Sequence, residues 1–185
     1  MKKYIESYAF LLSIVGVILG LDQWTKWLVR SNLELGESWK PLAWLDARIV
    51  NWKNTGAAFG MLQNFNVVFA VLAVVISIAI IYYYPRIEKN EWPLRVALAM
   101  QMGGALGNLI DRLTQGFVTD FIALGRFAVF NVADSSISVG VAVLVIGVWL
   151  SERQQARKNR TEPGSDPSGK DQDEQTQVGE QPPSE

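Results

Sequence analysis

Long apolar segments, separated by short polar stretches, dominate the chain up to about residue 150. The clearest segment runs from Phe65 to Tyr84 and contains no charged residue. A helix of that length, rising about 1.5 Å per residue, covers the roughly 30 Å of a bilayer's hydrocarbon core. Tyrosines at its end are typical of the membrane–water interface. The pattern therefore predicts a transmembrane helix.

Three other segments are apolar over a similar length. Together with the first they predict four spans, at about 8–29, 65–84, 94–111 and 132–150. The third span is rich in small residues, among them Gly104 and Gly107, which allow helices to approach closely in a membrane.

The first span has an alternative interpretation as a cleaved signal peptide, because Lys2 and Lys3 precede it. Glu6 in that charged stretch favours a retained helix, and so does the absence of a small-residue cleavage motif after the apolar run. An even number of spans places both termini on one side of the membrane. The basic run after the last span, which includes Arg153 and Arg157, indicates that this side is cytoplasmic.

Two regions lie outside the spans. The loop 31–64 is rich in aromatic residues and partly alternates over 47–52, which predicts a strand or two on the extracytoplasmic surface. The segment 161–185 is too polar to bury much surface, and we predict that it is disordered. The predicted fold class is an all-α membrane protein with four transmembrane helices and a small extracytoplasmic β-containing cradle. We expect a membrane domain over residues 1–160 and a disordered cytoplasmic tail over 161–185.

Composition narrows the possible chemistry. The chain has neither cysteine nor histidine, which excludes disulfides, thiol nucleophiles and every Ser-His or Cys-His arrangement. The formal net charge is -1 and no basic surface is patterned along the chain, so we expect no nucleic acid partner. Hydrolytic chemistry would have to use carboxylates, lysine or hydroxyl groups.

Aspartates gather where the predicted spans meet the outer side of the membrane. Alternation of the spans places Asp22, Asp111, Asp120 and Asp134 at similar depth near the outer leaflet. Ionisable residues in such positions are costly and by default indicate function.

Each of these aspartates also has an ordinary structural interpretation. Asp22 and Lys26 have the spacing of an ion pair on a helix surface. Asp111 could pair with adjacent Arg112 at the interface or act directly. Asp134 could be a first-turn acid favoured by the helix dipole, and Asp120 a loop carboxylate in water.

Two carboxylates that share one groove suggest acid–base hydrolysis. Held close together, they cannot both ionise easily and so share a proton. The ionised member can then activate water, while the protonated member stabilises the oxyanion. This mechanism requires no metal or cofactor, and two carboxylates without histidine make a poor zinc site.

Five short motifs lie in order between the first span and the last. They are DQWTKW from Asp22, NTGAAFG from Asn54, GGALGNLIDRL from Gly103, GFVTDFI from Gly116 and FNVADSSISVG from Phe130. In order and spacing they resemble the lipoprotein signal peptidase family (signal peptidase II), and the resemblance extends to about Arg160.

The resemblance implies roles for individual residues. The catalytic pair of this aspartic peptidase family falls on Asp120 and Asp134. Positions that line the family's substrate groove fall on Asn54, Asn108, Arg112 and Asn131. Positions that support folding fall on Asp22, Lys26 and Asp111.

The resemblance also implies a substrate and a location. The substrate would be a prolipoprotein whose lipobox cysteine carries a diacylglyceryl group, cleaved just before that cysteine while the loop 31–59 cradles it. We expect an enzyme of the bacterial cytoplasmic (inner) membrane that contacts membrane lipid, acts as a monomer and is inhibited by globomycin. The competing hypotheses are a small transporter or channel, which would spread its carboxylates across the membrane depth, and a non-catalytic membrane adaptor.

Overall fold

The computed structural model describes residues 2–42, 46–56 and 65–161. These residues form four α-helices, one short 3-10 helix and three β-strands. In chain order they are α1 (Lys2–Asn32), β1 (Ser38–Leu42), β2 (Ala47–Asn54), α2 (Asn66–Tyr83), the 3-10 helix (Tyr84–Arg86), α3 (Trp92–Gln115), β3 (Val118–Leu124) and α4 (Val132–Thr161).

Each of the four apolar segments is a helix, as predicted. The helices α1, α3 and α4 extend beyond the apolar runs, and α4 continues to Thr161. Residues 162–185 lie outside the described residues, so disorder of the tail stays a prediction.

Within the described part of the chain, three helices are long and apolar enough to cross a membrane, over Tyr4–Asn32, Asn66–Arg86 and Val132–Arg153. The helix α2 exposes a large apolar surface, including Val67 and Ile78, which lipid can solvate. The helix α3 is not among the three, so a set of four spans is not confirmed. Its mean hydropathy is lower because it contains ionisable and amide side chains along much of its length. Several of these, such as Arg95 and Asp111, lie on its buried face.

The chain divides into two compact units, Met1–Gly147 and Val148–Glu185. All the candidate site residues belong to the first. In the second, the guanidinium of Arg153 lies 3.7 Å from the centroid of the Trp149 ring. Such a cation–π contact joins two residue types that favour membrane interfaces.

An apolar core joins α1, α2, the 3-10 helix and α3. Its buried members are Leu11, Val15, Ile80, Tyr84, Ile87, Ala99 and Met102. The Tyr84 hydroxyl, which would otherwise be unsatisfied in this core, donates to the Arg95 carbonyl at 3.2 Å.

Glycines allow α3 to contact both α1 and α4 closely, as the small residues of the third span predicted. A Cβ atom on Gly107 would lie 2.6 Å from Asp22 Oδ2 on α1. A Cβ atom on Gly104 would lie 2.4 Å from the Ala133 carbonyl oxygen on α4. Neither site has room for a methyl group, so glycine sets the distance between the helices.

The strands form one antiparallel sheet in the order β1-β2-β3. The first two strands confirm the prediction for the loop between α1 and α2. The third strand was not predicted, and it contains Asp120, which the sequence placed in a loop. Asp120 is 1% exposed, so its interpretation as a carboxylate in water is wrong.

A register shift in β2 decides which of its side chains share a face with Asp120. Ala47 pairs with Leu124 at one end of the strand, but beyond the shift Trp52 pairs with Asp120. The shift is a bulge that inserts one extra residue into β2 between Ile49 and Trp52. Without that residue, Asn51 would oppose Asp120, and Asn54 would point to the other face of the sheet. Because side chains alternate along a strand, the bulge puts Asn54 on the face of Asp120.

The connection from β3 to α4 folds back on the strand. Phe130 forms an isolated antiparallel bridge with Ile122, through backbone hydrogen bonds of 2.8 and 3.1 Å. This bridge brings the start of α4 beside Asp120.

Candidate active site

Asp134 lies in the first turn of α4, where it takes part in a reciprocal cap with Asn131. The Asp134 amide donates to Asn131 Oδ1 at 2.9 Å, and the Asn131 amide donates to Asp134 Oδ2 at 3.2 Å. Two amide groups at the helix end are thereby satisfied by side chains three residues apart. The first-turn position predicted for Asp134 is confirmed, and the cap holds its carboxylate rigidly.

Asp120 receives two side-chain hydrogen bonds from elements on either side of β3. Asn131 Nδ2 donates to its Oδ1 at 2.7 Å, and Asn54 Nδ2 donates to its Oδ2 at 2.8 Å. Both distances lie within the ordinary range of N–H···O hydrogen bonds.

Asn108 of α3 completes the connection between the two carboxylates. Its Nδ2 donates to Asp134 Oδ1 at 2.8 Å, and its Oδ1 accepts from Asn131 Nδ2 at 3.1 Å. Asp120 and Asp134 therefore belong to one hydrogen-bonded network whose other members are asparagines. Asn131 is fully buried at its centre.

The pKa of Asp120 is raised from 3.8 to about 7. Burial is the main cause, since it penalises the charged form, and the nearby negative charge of Asp134 adds to it. The hydrogen bonds from Asn54 and Asn131 act in the opposite direction, as does the positive charge of Lys26. Asp120 can therefore hold a proton near neutral pH.

A second buried network, which we call the charge cluster, lies beside the asparagines and consists of Asp22, Lys26, Arg30 and Asp111. Lys26 Nζ lies 2.8 Å from Asp22 Oδ2 and 3.2 Å from Asp111 Oδ2, and all three side chains are fully buried. Arg30 Nη1 lies 3.7 Å from Asp111 Oδ1.

The charge cluster corrects two interpretations from the sequence. Asp22 and Lys26 do form an ion pair, but it lies inside the protein and not on a helix surface. Asp111 forms its ion pairs with Lys26 and Arg30 and not with adjacent Arg112. Both differences arise because α3 packs tightly on α1 at Gly107.

The charge cluster contacts the candidate site at several points. Lys26 Nζ donates to Asn108 Oδ1 at 2.9 Å. Asp22 Oδ1 accepts from the Ala133 amide at 2.9 Å, and Asp111 Oδ2 accepts from the Thr119 amide at 3.0 Å. The cluster thus holds the residues next to Asp134 and Asp120 through their backbone.

Arg112 occupies the opposite side of the network. Its Nη2 donates to the Gly56 carbonyl at 3.3 Å, and its guanidinium lies 5.1 Å from the centroid of the Phe69 ring. It also lines an apolar groove of about 410 Å³ between α2 and α3. The other lining residues are Asn66, Val67, Ala70, Val71, Val74, Val75, Leu109 and Leu113.

The four aspartates that the sequence placed near one another are brought together, as alternation of the spans predicted. Hydrogen bonds and ion pairs link Asp22, Asp111, Asp120 and Asp134 through Lys26 and the asparagines. This clustering disfavours a transport pathway, which would distribute carboxylates along the membrane normal. Among the residues with described side chains, no group of three or more carboxylates is arranged to hold a metal ion.

Two polar residues of this region were not identified from the sequence. Gln23 Nε2 donates to Asp22 Oδ2 at 3.1 Å and to the Gly107 carbonyl at 3.1 Å. Thr119 accepts from Arg30 Nη1 at 3.1 Å. The signal that could have identified them is their position: Gln23 lies in the motif DQWTKW and Thr119 in GFVTDFI.

Comparison with protein families agrees with this arrangement. Residues 14–150 match the family described as "Signal peptidase (SPase) II". The chain is 41% identical over 148 residues to the lipoprotein signal peptidase of Halalkalibacterium halodurans, an alignment that covers 78% of this chain and 94% of that protein. It is 39% identical over 146 residues to the lipoprotein signal peptidase of Bacillus subtilis, covering 77% and 94%.

Solved structures share the fold. A bacterial membrane enzyme solved by the in meso method at 2.3 Å resolution superposes with a TM-score of 0.72 and is 30% identical, covering 77% of this chain and 88% of that one. A second bacterial membrane enzyme, solved at 1.9 Å, gives a TM-score of 0.67 and 31% identity, covering 75% and 91%.

Proposed function

The chain belongs to the signal peptidase II family, and from that premise we propose that it is an intramembrane aspartic endopeptidase that removes signal peptides from prolipoproteins. Asp120 and Asp134 are the catalytic pair. The observation that carries this assignment is the network of Asn54, Asn108 and Asn131, which holds both carboxylates. Among the described residues, neither carboxylate forms an ion pair, and the cation that acts on Asp120 from a distance is Lys26.

Asp120 is the protonated member of the pair at neutral pH and below, in keeping with a pKa of about 7. The Asp134 carboxylate takes a proton from a water molecule as the water oxygen attacks the scissile carbonyl carbon. Asp120 gives its proton to the carbonyl oxygen, which yields a neutral tetrahedral intermediate. When the C–N bond breaks, Asp134 returns its proton to the leaving nitrogen, and Asp120 regains its own from the hydroxyl group.

The substrate is a prolipoprotein with a diacylglyceryl group on its lipobox cysteine, and cleavage occurs just before that cysteine. Arg112, beside the network, supports this proposal because it also lines the apolar groove between α2 and α3. A substrate with a lipid chain and a signal helix requires apolar surface next to polar groups. Asn54, Asn108, Arg112 and Asn131 are the proposed substrate-binding positions, and Asp22, Lys26 and Asp111 support the fold.

The proposed setting is the bacterial inner membrane, with both termini cytoplasmic and the catalytic pair near the outer leaflet. The helix α3 is the fourth span, since the polar residues that lower its hydropathy lie largely on its buried face. The domain of residues 1–160 acts as a monomer without metal or cofactor, is inhibited by globomycin and is followed by a separate tail.

Cleavage of a diacylglyceryl-modified prolipoprotein by the purified protein in lipid tests the proposal. We expect cleavage before the modified cysteine, reduced about 10³-fold or more in Asp120→Asn and in Asp134→Asn, because each catalytic step needs both groups. Arg30→Met, which removes a nearby half-buried charge, is the control. Unchanged cleavage in either folded aspartate variant would contradict the catalytic assignment, and no cleavage by the folded wild type would contradict the function.

A further inference from the structure

Three asparagine side chains around the catalytic pair have their amide orientation determined by a neighbouring donor. Asn54 Oδ1 accepts from the Gly56 amide, and Asn131 Oδ1 accepts from the Asp134 amide, each at 2.9 Å. Asn108 Oδ1 accepts from Lys26 Nζ, also at 2.9 Å. Backbone amides and ammonium groups can donate but cannot accept. Each asparagine must therefore turn its oxygen toward that donor and its NH2 group toward a carboxylate.

The three donors are not equivalent. Those of Asn54 and Asn131 are backbone groups, whereas Asn108 Oδ1 accepts from two side chains: the fully buried ammonium of Lys26 on another helix and, at 3.1 Å, Asn131 Nδ2. We propose that Lys26, beyond its part in the charge cluster, is a positioning residue that acts through Asn108. By holding Asn108 Oδ1, it keeps the Asn108 NH2 group directed at Asp134. This inference rests on the proposed peptidase function.

The reason that orientation matters lies in the proton that the pair shares. With its amide turned over, Asn108 would present its carbonyl oxygen to Asp134 Oδ1, which now lies 2.8 Å from Nδ2. A protonated Asp134 could donate to that oxygen and form a neutral hydrogen-bonded pair. The shared proton would then be withdrawn from water and substrate. Lys26 prevents this state, because a turned Asn108 would place its NH2 group against the ammonium.

Arg30 provides a matched comparison within the same charge cluster. It is a second cation beside Asp111, and it donates to Thr119 Oγ1 at 3.1 Å. Among the described contacts it has none with Asn108. A general electrostatic or structural role of the cluster would involve both cations, whereas Lys26 is the one of the two that donates to Asn108 Oδ1, alongside Asn131 Nδ2.

The experiment compares two double variants, Lys26→Met with Asp111→Asn and Arg30→Met with Asp111→Asn. Each removes one cation and one anion, so the formal charge of the cluster is unchanged. Steady-state cleavage of a diacylglyceryl-modified prolipoprotein is measured after folding has been checked by thermal unfolding. We expect kcat of the Lys26 variant to fall about 10- to 100-fold with KM changed less than about threefold. The Arg30 variant should keep kcat within about threefold of wild type.

A third substitution tests whether Lys26 acts through Asn108. Added to the Arg30 double variant, Asn108→Leu should lower kcat strongly. Added to the Lys26 double variant, it should lower kcat by less than about a further threefold, because the effects of coupled residues are not additive. Additive losses, or equal kcat in the two double variants, would overturn the proposal.

Two further measurements distinguish failure of this inference from failure of folding and from failure of the proposed function. If the Lys26 double variant is not folded, Lys26→Met with Asp22→Asn replaces it, since Asp111 then keeps Arg30 as its partner. A kcat equal to that of the Arg30 double variant would overturn the proposal. Cleavage by the wild type tests the peptidase function itself. A wild type that cleaves, with a Lys26 variant that cleaves equally well, contradicts only the positioning role.

Discussion

Asp22 and Asp111 are as deeply buried as Asp120, and Asp134 is half-buried, yet the partners of the two pairs are different. The first two are bound to the buried ammonium of Lys26. The other two accept hydrogen bonds from neutral asparagine amides and have no ion pair in the described part of the chain. The amides around Asp120 leave it able to take up a proton, because burial raises its pKa. The comparison contrasts aspartates bound by an ammonium with aspartates bound by amides, and the proposed acid–base roles of Asp120 and Asp134 rest on this difference.

The largest expected effect on stability comes from breaking the charge cluster. Asp22→Ala removes a carboxylate that bonds Lys26 and the Ala133 amide, and leaves a buried ammonium with one partner fewer. We expect a loss of about 3 kcal/mol or more in the free energy of unfolding. Chemical or thermal unfolding in detergent measures it.

The control for that variant is Glu6→Ala, which breaks the exposed Glu6–Lys89 pair. Little change is expected there, since solvent screens surface pairs. Equal losses in the two variants would show that burial of the charge cluster has no special importance.

The proposed catalytic pair should make cleavage depend on pH. Because the pKa of Asp120 is about 7, cleavage should decline as pH rises above about 7, roughly tenfold per unit, as the shared proton is lost. Rates measured between pH 5 and 9, at substrate concentrations well below KM, give the profile, because kcat/KM reports the ionisable groups of the free enzyme. A flat profile to pH 9 would contradict the assignment of the proton to Asp120.

Stability should depend on the same proton. The pKa of Asp120 is raised above its ordinary value of 3.8, so between that value and about 7 the folded state binds more protons than the unfolded state. Stability from this group is therefore present at low pH and decreases as pH rises through that window. Asp120→Asn should lack this component, which unfolding at several pH values can show.

Gly107 tests how closely α1 and α3 must approach for the charge cluster to form. In Gly107→Ala the new methyl group would lie 2.6 Å from Asp22 Oδ2, so the helices must separate or Asp22 must move. We expect a loss of about 1–3 kcal/mol, measured by unfolding. Gly16→Ala, where no atom lies within 4 Å of the new methyl group, should not lose stability. A tolerated Gly107→Ala would show that the charge cluster does not require this spacing.

The smallest effect on cleavage is expected from Asn54, the residue of β2 that donates to Asp120 of the proposed catalytic pair. Asn54→Ala removes one hydrogen bond to Asp120 and should lower cleavage about tenfold. Since that bond lowers the pKa of Asp120, the decline at alkaline pH should also move to higher pH. The control is Lys53→Ala, which changes the adjacent exposed residue. Unchanged rate and pH profile in Asn54→Ala would exclude a role for the sheet in holding Asp120.

The sequence by itself determined the helices, the gathering of aspartates and the family motifs. Apolar runs are local signals, so each predicted span is a helix, and the small residues at Gly104 and Gly107 mark where helices approach closely. Alternation of the spans placed Asp22, Asp111, Asp120 and Asp134 together because it depends only on their number and order.

Only the tertiary structure decided which partner each aspartate has. The strand β3 was missed because its residues are buried on both faces and show no alternation. The register shift that turns Asn54 toward Asp120, and the bridge from Phe130 to Ile122 that brings Asn131 to it, join residues distant in sequence. Whether an aspartate meets an ammonium or an amide depends on such non-local contacts, and no local pattern of residue types records them.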